Sequence, residues 1–426
     1  MSPFQSVQTH LSPVTSKISQ LVISHGSGSW VYTEDGQEYL DFTSGIGVTN
    51  TGHSHPKVVA AIQEQAAKML HGQVNVFYTR VLIDLAEELR SIVPAHIDSF
   101  FFANSGAEAT EAAVKLAKQV TKRPNIIVFQ GSFHGRTHLA MGMTTSKTVY
   151  RIGYQPLPAG IFVAPFPHAL RYGWDEETTI QYCIKELKHL LKSQTAPEET
   201  AAIILEPEQG EGGYVPTPPA FMNALREICD EHGILLVMDE VQTGFGRTGK
   251  WFAQDHYGVK PDIMVMAKGI ASGVPMSCIG ASSEMMAKWI PGSHGGTYGG
   301  NPLAAASAIA TIRAMRDENM IENAAERGAE LTAGLKALQK TYPRIAEIRG
   351  LGLMVGVEFR NEDGTPDAAT VSALQKECLA NKLLLLSCGT HGNVIRFIPP
   401  LVVTKDEVEQ GLRIVERALA TIFSSE

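Results

Sequence analysis

The sequence predicts an α/β protein with a large, mainly parallel sheet, flanked by a smaller α+β unit assembled from both ends of the chain. Three observations predict it. Five short, nearly continuous apolar runs are bounded by Gly, Pro or charge: FFFA (100–103), IIVF (126–129), AAIIL (201–205), ILLVM (234–238) and IMVMA (263–267). Such runs are the mark of strands buried on both faces. Helical patterns lie between them, and this alternation favours parallel pairing. After residue 300 the texture changes to Ala-, Glu- and Lys-rich helical stretches, followed by the β-rich segments GLMVGVEF (352–359), LLLLS and NVIRFIPPL.

Taken in order, residues 29–42 (SWVYTEDGQEYLDF) alternate apolar and polar around Asp35-Gly36. That pattern predicts a hairpin, with glycine accepting the positive φ of a tight turn. His53-Ser54-His55 precedes Pro56 and reads as the entry to a helix; no acid or third ligand stands nearby to suggest a metal. Between the first two apolar runs, Ala109, Ala112, Ala113, Leu116, Ala117 and Val120 share one helical face. A closing helix is expected from about Lys405. The expected organisation is residues 1–56 as the N-terminal segment of a small domain, 57–305 as the large domain, and 306–426 as the C-terminal part of the small one.

The hydrophobic fraction of 44% and charged fraction of 19% exclude a disordered or fibrous chain. A net charge of −8 argues against a nucleic-acid partner. No apolar run approaches the ~18 residues that span a bilayer, so no membrane role is expected. The five cysteines are scattered with no CxxC pair, which argues against a disulfide framework and a zinc site. The first twenty residues are Ser/Thr-rich and lack acids, but Lys17 is their only basic residue, unlike an organelle transit peptide. The expectation is a soluble cytoplasmic protein with no metal.

Open parallel sheets bind ligands at the carboxyl ends of their strands. FFFA is followed by Asn104-Ser105-Gly106-Ala107 and a helix, a polar cap with free N–H groups suited to a phosphate. IIVF leads to Phe133, His134 and Arg136; AAIIL to Glu206 and Glu211; ILLVM to Asp239 and Gln242; and IMVMA to Lys268. A phosphate cup, an aromatic face, acids and a lysine together suit a phosphorylated, cationic heteroaromatic cofactor, and pyridoxal 5'-phosphate needs those groups. A lysine amine condenses with its aldehyde, and a carboxylate beside the ring nitrogen keeps that nitrogen protonated. Asp239 and Lys268 fit this division of labour.

The segments NSGAEATEAAVKLA, SFHGRTH, EPEQGEGG, LLVMDEVQTGFGRTG, MAKGIASGVP and GGTYGGNPLA resemble the class III aminotransferases, in family order from about Trp30 to about Leu401. This family has the aspartate-aminotransferase type of fold, fold type I. TNTGHSHPKVVAAI, TAPEETAAIILEP and LLLLSCGTHGNVIRFIPPL are most similar to its 4-aminobutyrate aminotransferases, although the stretch around Asn75, Val76 and Phe77 departs from their pattern.

The resemblance implies that Lys268 bonds to the cofactor and Asp239 meets its ring nitrogen. It assigns Gln242 to the phenolic oxygen, Ser105, Gly106 and Ala107 to the phosphate, and Phe133, beside His134, to the ring face. Thr297 would reach the phosphate of a neighbouring subunit, which implies a homodimer with shared sites; pairing of dimers into tetramers is left open. Arg136 and Arg396 would bind substrate carboxylates, with Glu211 and Ile46 shaping the pocket. The implied reaction moves the amino group of an ω-amino acid such as 4-aminobutyrate to 2-oxoglutarate, giving succinate semialdehyde and glutamate. An acetylornithine/ornithine-type aminotransferase or an amino-acid racemase or epimerase of the same fold is the alternative.

GFGRTG (244–249) satisfies G-x-G-x-x-G, but it neither follows a strand directly nor opens an amphipathic helix, so it does not read as a dinucleotide site. It is expected to be a flexible loop near the cofactor.

Overall fold

Four of the five apolar runs form the parallel centre of a seven-stranded sheet, and FFFA lies at its edge with its phenylalanines half-buried rather than buried on both faces. The structure, a computed structural model, describes residues 10–424; the first part of the Ser/Thr-rich leader stretch lies outside them. The strands of the sheet are β1 (Ser99–Ala103), β2 (Asn125–Phe129), β3 (Ile161–Ala164), β4 (Thr200–Leu205), β5 (Leu235–Asp239), β6 (Ile263–Met266) and β7 (Ser277–Ala281). Their spatial order is β1-β7-β6-β5-β4-β2-β3. Pairing is parallel from β3 through β2, β4 and β5 to β6, and only β7 runs antiparallel to its two neighbours.

Alternate residues of each central strand enter different cores, which is why the runs are apolar throughout. Ile127, Phe129, Ile203, Leu205, Leu236 and Met238 pack with Leu187, Phe221 and Leu225 of the helices Glu176–Ser193 and Pro219–His232. Ile126, Val128, Ile204, Val237 and Val265 instead face Ala109, Ala112, Ala113 and Leu116 of the helix Gly106–Thr121. Each buried Val, Leu, Ile, Phe or Met side chain contributes about 1.5–3 kcal/mol, and each alanine methyl less than about 1 kcal/mol.

Strands β3 and β7 are absent from the sequence reading. Ile161–Ala164 is a short run behind Pro158 and Gly160, and Ser277–Ala281 carries Ser, Cys and Gly where β-branched residues signal a strand. Gly280 is required there, because a Cβ would lie 2.6 Å from Ile97 Cγ2.

Strands from the N-terminal part of the chain pair with one from its C-terminal part. Strands Ile23–Ser27, Trp30–Thr33 and Glu38–Asp41 form an antiparallel sheet turning at Gly36 (φ +79°), and Leu383–Leu384 joins it in parallel beside Glu38–Asp41. Trp30 Nε1 donates to Glu407 Oε1 at 2.6 Å, tying this sheet to the closing helix Lys405–Ser424. A second antiparallel sheet holds Ile345–Leu351, Met354–Phe359, Val394–Phe397 and Leu386–Cys388. The single apolar run LLLLS is thus split between two sheets. All five cysteines are buried and free. No helix among the described residues is long and apolar enough to cross a membrane.

Candidate active site

The carboxyl ends of the parallel strands open on a cavity of about 540 Å³, large enough for a cofactor and a small substrate together. After β1, Ser105 caps the helix Gly106–Thr121. Its hydroxyl accepts from Glu108 N, and the Glu108 carboxylate accepts from Asn104 N and Ser105 N. That capping box leaves the first helical amides, Gly106 and Ala107, to an external anion. A side chain at 106 would press on Val241 Cγ1 at 3.0 Å, and one at Gly135 (φ +127°) would collide with Ala107 Cβ at 2.5 Å. The loop after β2 is therefore held against the anion cup.

That loop presents Phe133, His134 and Arg136. His134 is buried, and its Nδ1 lies 2.7 Å from Asp239 Oδ2 at the end of β5. Burial pushes the imidazole down, but the hydrogen bond and charge of Asp239 outweigh it and hold the ring above its ordinary value. Asp239 Oδ1 accepts from Val241 N at 3.0 Å, so both carboxylate oxygens are fixed. Glu206, at the end of β4, accepts from Phe133 N and Gly210 N, each at 2.9 Å. Burial raises its pKa to about 7, with His134 opposing and Asp239 reinforcing the shift.

Lys268 follows β6 and is held at φ +45°, a left-handed conformation costing a non-glycine residue about 1–2 kcal/mol. It makes no ion pair among the described residues. Burial lowers its pKa despite the pull of Asp239 and Glu206, favouring a neutral, nucleophilic amine.

At the far side, Arg396 enters from the strand Val394–Phe397 and donates to Glu211 Oε2 at 3.1 Å. Glu211 Oε1 accepts from Lys147 Nζ at 2.9 Å and Tyr150 Oη at 2.8 Å. Burial acts upward on Glu211, but the charges of Arg396 and Lys147 hold its carboxyl below the ordinary range. Arg136 is exposed and makes no ion pair among the described residues; its guanidinium lies over the Tyr150 ring at 4.7 Å. Ile46 stands at the rim in a left-handed turn (φ +69°), 42% exposed.

A family model, aminotransferase class-III, matches residues 11–419. The chain belongs to the class III aminotransferases. A 5-aminovalerate aminotransferase of Pseudomonas putida is 41% identical over 408 residues, 95% of each chain. The 4-aminobutyrate aminotransferase of Escherichia coli is 40% identical, over 91% of this chain and 90% of that one. An amine transaminase from an uncultivated Pseudomonas species, solved with pyridoxal phosphate bound, superposes with a TM-score of 0.90 at 30% identity, covering 96% of this chain and 98% of that one. This aminotransferase is therefore a pyridoxal-phosphate enzyme with the aspartate-aminotransferase type of fold.

The residues of the aminotransferase fit that cofactor. Gln242 Oε1 and His134 Nε2 are buried at the cavity with no partner among the described residues, and the Gly106 and Ala107 amides lie at the open helix end. Every site residue selected from the sequence lines the cavity except Thr297, which is exposed on a loop outside it. The sequence reading assigned no role to Glu206, Lys147 or Tyr150. Glu206 had a signal, being the first residue after a strand; Lys147 and Tyr150 lie in an aperiodic stretch and had none.

GFGRTG is the opposite of the expected flexible loop. Residues 244–248 are buried, and Arg247 donates to Leu353 O, Pro399 O and Asn50 Oδ1. Its glycines exist for close packing: a Cβ on Gly246 would lie 2.7 Å from Met315 Cε.

Proposed function

We propose that this aminotransferase takes the amino group from the terminal carbon of a straight ω-amino acid of the 4-aminobutyrate class and passes it to 2-oxoglutarate. With 4-aminobutyrate the products are succinate semialdehyde and glutamate. The observation that carries the reading is the unequal pair of guanidiniums: Arg136 is open, whereas Arg396 is masked by Glu211. One open cation suits the single carboxylate of an ω-amino acid. The masked cation serves a second carboxylate once Glu211 withdraws, because a buried unpaired guanidinium is costly. Relatives named for 4-aminobutyrate and 5-aminovalerate support the donor class.

Pyridoxal phosphate, when bound, carries the amino group between donor and acceptor and withdraws electrons from the carbon that loses a proton. The Gly106 and Ala107 amides and the Ser105 cap hold the phosphate, and Phe133 covers the ring. Asp239, oriented by His134 Nδ1 and Val241 N, keeps negative charge beside the ring nitrogen, and Gln242 meets the phenolic oxygen. Lys268 Nζ takes the proton from the donor's amine-bearing carbon and returns it as general acid. Ile46, Val241 and Met276 give the cavity apolar walls that exclude water.

The reading extends to assembly and setting. Leu70, Val76, Phe77, Tyr78 and Tyr298 are exposed, the last next to Thr297. Apolar groups so exposed favour a homodimer in which Thr297 completes the neighbouring site. Five free cysteines favour a cytoplasmic enzyme.

The deciding experiment incubates the holoenzyme with single donors, 4-aminobutyrate, 5-aminovalerate, ornithine, acetylornithine and alanine, with and without 2-oxoglutarate. Aldehyde formed only with an ω-amino acid and 2-oxoglutarate is the expected result. Turnover of ornithine or acetylornithine alone, or inversion of alanine without any oxo acid, would overturn it.

A further inference from the structure

Glu211 is bound more firmly on the side away from Arg396. Its Oε1 has two donors, Lys147 Nζ at 2.9 Å and Tyr150 Oη at 2.8 Å, whereas its Oε2 has the single 3.1 Å bond from Arg396 Nη1. Arg396 Nε is buried with no partner among the described residues, so Glu211 satisfies that guanidinium incompletely. The Glu211 main chain is anchored as well, its carbonyl accepting from Gly389 N at 3.0 Å. A change of side-chain torsion about that fixed backbone can therefore free Oε2 from Arg396 and keep Oε1 where it is.

The two donors are themselves held. Thr145 N and Ser146 N donate to Ser132 O, at 2.8 and 3.0 Å, just ahead of Lys147. The Tyr150 ring meets Phe133 edge-on at 5.3 Å and carries the Arg136 guanidinium on its face. Side chains of Lys147 and Glu211 are 22% and 13% exposed, so solvent screens their charges only in part.

We propose that Lys147 and Tyr150 form a second seat for the Glu211 carboxylate, which keeps it paired when a dicarboxylate takes Arg396 and so sets the affinity for dicarboxylic substrates. This rests on the reading above that Arg396 exchanges Glu211 for a substrate carboxylate. Without the seat, the departing carboxylate would stay in the cleft with no cation, and the cost would fall on the dicarboxylate alone. A monocarboxylate uses the open Arg136 and leaves Glu211 in place. Both residues are positioning residues, acting through Glu211.

The test is calorimetric titration of the holoenzyme with two unreactive probes, glutarate and valerate. Lys147→Met is expected to weaken glutarate about tenfold to a hundredfold more than valerate, the range for a lost charge-assisted hydrogen bond. Lys147→Arg should restore most of that gap, and in a Glu211→Gln background Lys147→Met should no longer open it. Tyr150→Phe, which keeps the ring, should move the ratio the same way by a smaller factor and serves if Lys147→Met does not fold. Equal weakening of both probes, or none, overturns the seat. Failure of the unaltered enzyme to use any ω-amino acid would instead overturn the substrate reading, and the two-probe comparison still tests the seat.

Discussion

Replacing Gly269 with alanine puts a methyl group where no space exists. The added Cβ would lie 2.3 Å from Asn50 Nδ2 and 2.8 Å from Asn50 Cγ. Asn50 cannot yield freely. Its Nδ2 donates to Phe245 O at 2.7 Å, and its Oδ1 accepts from the buried Arg247 at 2.9 Å. Moving it sacrifices one neutral hydrogen bond, about 1 kcal/mol, and one to a charged group, about 1.5–3 kcal/mol. Overpacking adds about 1–3 kcal/mol. The expected destabilisation is therefore about 4 kcal/mol or more, read by urea unfolding of the apoenzyme. The strained Lys268 next door should shift too, weakening cofactor binding. In an Asn50→Ala background the collision with the amide is gone and only the 3.2 Å approach to Phe245 Cβ remains, so adding Gly269→Ala should cost clearly less than it does alone, about 1–2 kcal/mol. A single variant within about 1 kcal/mol of the parent, or additive effects in the double variant, would refute the reasoning.

Three other outcomes follow from the site. Attachment of cofactor to the apoenzyme should accelerate as pH rises through the Lys268 pKa, with a midpoint below the ~10.4 of a solvated lysine; a midpoint at or above that value contradicts the burial argument. Asp239→Asn removes the carboxylate charge beside the lysine and leaves His134 facing an amide, so kcat should fall about 10²–10³-fold, a loss of roughly 3–4 kcal/mol of electrostatic stabilisation. Glu206→Gln removes the charge, but its NH2 faces Phe133 N or Gly210 N where a carboxylate oxygen accepted, a fixed cost of about 1–3 kcal/mol at every pH. Because the folded-state pKa of Glu206 is raised to about 7, the parent loses stability from this group as pH climbs from about 4.5 to 7. The variant apoenzyme should thus be less stable than the parent near pH 5 and recover part or all of that gap by pH 8. A difference in melting midpoint that stays flat across that range would count against it.

Much of the site was legible because open parallel sheets carry their chemistry at strand ends, and Lys268, Asp239 and the Ser105 cap sit directly behind apolar runs. The glycine-rich turn at 244–249 shows the limit of that reading. Glycine permits flexibility in a chain, but here it permits contact, with Met315 and Ala325 filling the space a side chain would need. No local pattern distinguishes the two cases.

By itself, then, the sequence determined five of the sheet's seven strands and which groups lie at their ends, because hydrophobic period and capping are local properties. Tertiary structure decided what depends on residues far apart in the chain. It brought Arg396 against Glu211 across 185 positions and His134 against Asp239 across 105. It also slid Ser277–Ala281 into the sheet and split one leucine run between two others. Lys147 and Tyr150 acquired a function only by meeting Glu211, since a lysine and a tyrosine in an aperiodic segment carry no signal until a buried carboxylate stands within 3 Å of both.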